Sequence, residues 1–124
     1  MQRFLVVCGA GAIGCGLRYL VGLGAARIPQ SFPYGTLIVN LVGSFLIALV
    51  MEIAIRNVDF SPTLRLALTT GFLGGLTTYS AFNYESSQMI LNGQVARGVA
   101  NVVITLVGCF LLGLLGLALA RRIA

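Results

Sequence analysis

The 124-residue sequence has no histidine, no lysine and only three acidic residues, Glu52, Asp59 and Glu85. Without histidine, imidazole acid–base catalysis and imidazole metal binding are absent, and with them most enzyme mechanisms. No P-loop is present to couple nucleotide hydrolysis to transport. Charge of either sign is scarce at 9% of residues, against roughly 25% in soluble domains. What is there instead is apolar: 58% hydrophobic residues and a mean hydropathy of +0.99. That composition belongs to a chain immersed in a bilayer, and its length allows a single membrane domain over residues 1–124.

The formal charge of +5 comes from eight arginines spread between positions 3 and 122. They make no stripe able to track a phosphate backbone, so no nucleic-acid partner is expected. Arginines at the ends of apolar segments fit anchoring at the cytoplasmic face or attraction of a small anion. Cys8, Cys15 and Cys109 sit inside apolar runs, where cysteine acts as a small hydrophobe.

A helix needs about 20 apolar residues to cross the hydrocarbon core. Four stretches qualify, at about 4–24, 34–55, 64–91 and 98–120. Turn chemistry joins them: the stretch 28–33 with Pro29 and Pro33, then Asn57 to Pro62, then Asn92-Gly93-Gln94. Ser61-Pro62 reads as an N-cap followed by proline at the first helical position. Arg3 before an apolar run with Ala10-Gly11-Ala12 resembles a signal peptide. The run before that site is too short, and hydrophobicity continues past it, so a retained first helix is expected. An even number of crossings sorts Arg3, Arg56, Arg65, Arg121 and Arg122 to the terminal side, against Arg27 and Arg97. The positive-inside rule then predicts cytoplasmic termini.

Gly9 to Gly14 matches G-x-G-x-x-G, but the next acidic residue is Glu52, too far to hold a ribose hydroxyl. On a membrane helix such glycines form a flat face for close helix approach, and Gly108, Gly113 and Gly116 suggest a similar surface.

The third stretch carries most of the polar chemistry. Thr69 to Thr78 holds Gly71, Gly74 and Gly75 together with Thr69, Thr70, Thr77 and Thr78. Two readings stand side by side: a helix broken near mid-membrane, whose freed carbonyls suit a small hard cation, and a continuous helix packing through its glycines. Beyond it, Ser80, Asn83 and Ser87 share one helical face, and Tyr79, Phe82 and Ser86 the adjoining one. Hydroxyl and amide donors beside the positive edges of aromatic rings suit a small dehydrated anion; packing and interhelical hydrogen bonding is the plainer use.

Arg18 falls about 21 Å along the first helix, two-thirds of the way across a core of about 30 Å. It either snorkels to the nearer surface or charges an aqueous vestibule. Asn40 can donate to an anion or tie two helices together. Glu52 and Glu85 are expected near helix ends, solvated or paired with arginine.

With these residues in view, the chain resembles the Fluc/CrcB fluoride channel family over nearly its whole length. The resemblance rests on Gly14 to Arg18-Tyr19, on Gly35-Thr36-Leu37-Ile38-Val39-Asn40, and on Gly71-Phe72-Leu73-Gly74-Gly75-Leu76-Thr77-Thr78-Tyr79-Ser80-Ala81-Phe82. It implies an all-α integral membrane protein of four transmembrane helices, the third broken near mid-membrane, assembled as an antiparallel dual-topology homodimer in the bacterial cytoplasmic (inner) membrane. It also implies two fluoride pathways and a central structural sodium ion held by the carbonyls of Gly74 and Thr77. Carried over in the same way, Asn40 donates to fluoride, Arg18 makes the vestibule electropositive, and Phe82 supplies one aromatic ring. Ser80 and Thr105 contribute hydroxyls. Tyr79 stands where the family usually has Phe, Ala81 and Asn83 replace hydroxyl residues, and Asn101 occupies a position that often holds Tyr or His.

Passive, selective fluoride export is therefore the expected function, and no enzymatic activity is implied. The five-to-two arginine bias keeps one half of a heterodimeric channel as an alternative. A small proton-coupled four-helix exporter is the other, although its acidic site in the first helix has no counterpart beside Arg18.

Overall fold

The computed structural model describes residues 1–29 and 32–124, so Gln30 and Ser31 of the first turn lie outside the described residues. All regular structure among the described residues is helical. Three long apolar helices, α1 (Gln2–Ala25), α2 (Tyr34–Arg56) and α6 (Val95–Ile123), are each long enough to cross a bilayer. Between α2 and α6 lie α3 (Pro62–Leu66), a wider π-helical stretch (Ala67–Leu73), α4 (Gly74–Leu76) and α5 (Tyr79–Leu91).

The local signals explain several of these boundaries. Ser61 caps α3, its Oγ accepting from the Leu64 amide at 3.3 Å, and Pro62 follows at the position where a missing N–H costs nothing. Just past the end of α5 stands Gly93, whose φ of +83° is open to glycine without strain. The Gly93 amide then donates to Ile90 O and the Gln94 amide to Met89 O, closing the last turn.

Glycine sets how closely the helices approach. A Cβ on Gly14 would collide with the Phe72 carbonyl and lie 2.9 Å from the Leu76 amide nitrogen. One on Gly75 would collide with the Gly11 carbonyl, and one on Gly71 would sit 2.8 Å from the Ala10 Cβ. The flat face read from Gly11 and Gly14 is thus the seam between α1 and the 62–76 segment, whereas Gly9 meets nothing within 4 Å. On α6, Gly116 abuts the Phe45 carbonyl and the Leu49 amide, and Gly108 lies against Leu41; Gly113 is looser, 3.9 Å from the Ser44 carbonyl.

These registers also give directions. Gly11 and Gly14 meet Gly75 and Leu76 in ascending order, so α1 runs parallel to the third segment. Asn40 and Thr36 meet Thr78 and Glu85 in opposite order, so α2 runs antiparallel to it. The C-terminal ends of α2 and α6 meet at Glu52, whose Oε1 accepts from Arg56 Nε and Arg121 Nε, each at 2.9 Å. Arg56 and Arg121 therefore share one end of the molecule, as the sorting of arginines to the terminal side expects.

The buried apolar core is small: Val39, Leu73 and Leu76, joined by Val21, Leu46 and Phe72. Long apolar side chains instead point outward along the helices, among them Phe4, Ile13 and Leu20 on α1 and Phe110, Leu111 and Leu115 on α6. In water such a surface would aggregate; in hydrocarbon it is the expected exterior. The chain is a multi-pass integral membrane protein.

Candidate functional site

The polar residues converge where α4 gives way to α5. Thr77 (φ −86°, ψ 155°) and Thr78 (φ −153°, ψ 112°) are extended, between helices ending at Leu76 and starting at Tyr79. Adjacent glycines before them and the hydroxyl cap that Thr78 itself supplies favour this geometry. Thr78 Oγ1 accepts from the Ala81 amide at 3.3 Å and caps α5.

Asn40 satisfies the Thr78 backbone. Its Oδ1 accepts from the Thr78 amide at 2.8 Å and its Nδ2 donates to the Thr78 carbonyl at 3.0 Å. A carboxamide has the donor and acceptor of a peptide group, so Asn40 acts as a substitute strand partner inside an apolar environment. Both the Asn40 and Thr78 side chains are buried. One N–H of the Asn40 amide remains beyond the bond to Thr78.

This arrangement also redirects two helical donors. The Thr78 amide, which in a continuous helix would serve the Gly74 carbonyl, serves Asn40 instead. The Ala81 amide, which would serve the Thr77 carbonyl, serves the Thr78 hydroxyl. The carbonyls of Gly74 and Thr77 are thereby released, and Gly74 lies on the exposed face.

A cavity of about 310 Å³ opens beside the extended pair. Its lining brings together Asn40, Gly74, Thr77, Tyr79, Phe82 and Thr105, six of the residues singled out from sequence. The Tyr79 and Phe82 rings meet edge-on, with centroids 5.4 Å apart and planes at 66°. Phe82 is buried, whereas Tyr79 is 73% exposed. Arg18 and Ser80 are not in this lining. Arg18 borders a second opening of about 310 Å³ with Tyr19, Thr36, Thr78 and Ala81, and its Nη2 lies 3.6 Å from Cys15 Sγ. Ser80 is exposed, with its Oγ 3.4 Å from Thr78 Oγ1. Thr78 is common to both openings, so they flank the same polar point.

The family profile described as "CrcB-like protein, Camphor Resistance (CrcB)" matches residues 5–117. The chain belongs to the CrcB-like family. A "Fluoride-specific ion channel FluC" of Sorangium cellulosum (strain So ce56) is 48% identical over 126 positions, covering 99% of this chain and 98% of that protein. Proteins of the same name from Geobacter sp. (strain M21), 44% identical over 99% of this chain and all of the relative, and from Clostridium perfringens, 44% identical over 98% of each, are similar to it too.

Within this CrcB-like chain, several site residues escaped the sequence reading. Thr78 was visible only as part of a motif, although a threonine between a glycine pair and a polar helix is an N-cap signal. Ser86 is buried, donating to the Phe82 carbonyl at 2.8 Å and accepting from Asn101 Nδ2 at 2.8 Å. Glu85 corrects an expectation: it lies within α5 and accepts from the Thr36 hydroxyl at 2.8 Å, with no arginine partner among the described residues. Its Oε2 has no hydrogen-bond partner among them either. Glu52 does pair with arginine, as expected.

Proposed function

We propose that this chain is a passive, selective fluoride channel, working as an antiparallel dual-topology homodimer with a structural sodium ion at its centre. The observation that carries this reading is the single cavity uniting the Asn40 amide, the edge-on Tyr79–Phe82 pair and the Thr105 hydroxyl. Relatives named fluoride-specific ion channels support it. Fluoride is small and strongly hydrated, so it enters an apolar pathway only where fixed donors replace its water. Here those donors are the remaining Asn40 N–H, the Thr105 hydroxyl, the exposed Ser80 hydroxyl and the positive ring edges. Arg18, at the neighbouring opening, raises the local anion concentration. No covalent step is involved, and the chain is not an enzyme.

In this reading the segment from Pro62 to Leu91 is a fourth crossing, with Thr77–Thr78 near mid-membrane. The released carbonyls of Gly74 and Thr77 are hard oxygen donors, and that donor set fits sodium. Two carbonyls from one chain are too few for a complete shell, so a second copy completes it. Cover by a second copy also accounts for Thr70, Ser80, Asn83 and Ser87, polar residues exposed within the Pro62–Leu91 segment, where lipid could not satisfy them. The sodium ion would fix the two copies against each other through its charge.

Five arginines against two favour one orientation in the membrane. For that reason one half of a heterodimeric channel is the second reading, with a partner of opposite bias.

The test is fluoride efflux from proteoliposomes of the purified protein, followed with a fluoride electrode against chloride-loaded vesicles. Rapid fluoride release without chloride release is expected. No fluoride release from monodisperse protein would reject the homodimeric channel.

A further inference from the structure

We propose that Asn101 is a positioning residue that sets whether Thr105 offers its hydroxyl proton to an ion in the cavity. The inference rests on reading that cavity as the fluoride pathway.

Asn101 is the largest fully buried side chain among the described residues, 1% exposed, at the α5–α6 contact. Its amide is the centre of a directed hydrogen-bond chain. Thr105 Oγ1 donates to Asn101 Oδ1 at 3.5 Å, Asn101 Nδ2 donates to Ser86 Oγ at 2.8 Å, and Ser86 Oγ donates to the Phe82 carbonyl at 2.8 Å. Each hydroxyl has one proton, so in this arrangement all protons point away from the cavity and Thr105 shows it only lone pairs. An anion facing lone pairs is repelled.

The same groups have a second consistent arrangement. If the Asn101 amide turns over, Nδ2 faces Thr105 and Oδ1 faces Ser86. Ser86 then donates to Oδ1, Nδ2 donates to Thr105 Oγ1, and the Thr105 proton is free for an anion. The Phe82 carbonyl gives up only its second donor, because the helical amide of Ser86 still serves it. With an ion present to accept the Thr105 proton, no buried polar group is stranded in either arrangement. The link to Thr105 is the longest of the three, at 3.5 Å, so the reversal starts where the ion arrives. Only a side chain with a donor at one end and an acceptor at the other can do this; leucine, of similar size, has neither.

The experiment is fluoride efflux from proteoliposomes of the full-length chain carrying Asn101→Leu, Asn101→His, Thr105→Val and the double variant Asn101→Leu/Thr105→Val. Neutral histidine restores one donor and one acceptor. With leucine at 101 no side-chain donor holds the Thr105 oxygen, and its proton turns to the α6 carbonyl one turn back, the usual acceptor of a helical threonine. The expected result is therefore about a tenfold loss for Asn101→Leu and for Thr105→Val, no further loss in the double variant, and recovery in Asn101→His, since one hydrogen bond to an ion is worth roughly tenfold or more. Asn101→Ala replaces Asn101→Leu should the latter not yield monodisperse protein. Unchanged efflux in the Asn101 variants beside a slow Thr105→Val would overturn the inference and leave the channel reading standing. Losses that multiply in the double variant, or no recovery with histidine, would reduce Asn101 to a packing residue. A wild-type chain that releases no fluoride would overturn both.

Discussion

Asn40→Ala impairs function and folding together. The substitution leaves the Thr78 amide, now held by Asn40 at 2.8 Å, without a partner in an apolar interior, and takes from the Thr78 carbonyl its second donor at 3.0 Å, the Phe82 amide remaining as the helical one. A stranded amide of this kind costs about 1–3 kcal/mol. Thr78 also caps α5 and thereby sets the start of the helix bearing Tyr79 and Phe82. Fluoride efflux therefore falls on the order of tenfold or more, counting about 1.4 kcal/mol per tenfold. Asn40→Asp separates the two roles. It keeps an acceptor for the Thr78 amide, so more folded protein survives than with alanine, while the added negative charge excludes fluoride. Purified yield by size-exclusion chromatography and efflux rates measure both. Wild-type stability and flux in Asn40→Ala would mean that the Thr78 backbone is held by something else.

Gly14→Ala is expected to be at least as severe, for a steric reason. The added Cβ collides with the Phe72 carbonyl and lies 2.9 Å from the Leu76 amide, so α1 must move away from backbone rather than from a flexible side chain. Overpacking of this kind costs about 3 kcal/mol or more. Gly9→Ala, five residues earlier and on another side of α1, meets nothing within 4 Å. There alanine gains up to about 1 kcal/mol of helix propensity and leaves the fold intact. Thermal loss of the monodisperse peak in detergent distinguishes the pair. Equal stability of the two variants would contradict the glycine seam between α1 and the 62–76 segment.

The contrast between those glycines shows what the sequence could and could not disclose. Apolar length marked the three long helices, because a bilayer rewards an uninterrupted apolar run whatever its partners. Ser61-Pro62 marked its boundary, because capping is a local interaction between residues three apart. Glycine spacing pointed to close packing, but spacing does not say which glycine meets a backbone, and Gly9 and Gly14 look alike until the neighbouring segment is in place. The same holds for polar pairing. Asn40 and Thr78 lie 38 residues apart, and Thr36 and Glu85 lie 49 apart, so nothing local to either member announces the other. The π-helical stretch over Ala67–Leu73 likewise had no signal in periodicity, since one extra residue per turn only shifts the phase of a pattern already dominated by small and apolar residues. Of the candidate site residues, those lining the central cavity were legible as polar or aromatic exceptions in apolar runs. Ser86 shares a helical face with Tyr79 and Phe82 in the sequence, but its bond to Asn101, fifteen residues on and in another helix, has no local signal.

The central claim is that the chain lets fluoride, and not chloride, move passively down its gradient. Current across a planar bilayer containing the purified protein tests this most directly, under a tenfold fluoride gradient with equal chloride on both sides. A passive fluoride channel reverses at the fluoride equilibrium value, about 59 mV for a tenfold gradient of a monovalent ion, unaffected by a change of pH on one side. A reversal potential at zero, or one that follows the proton gradient, would contradict it.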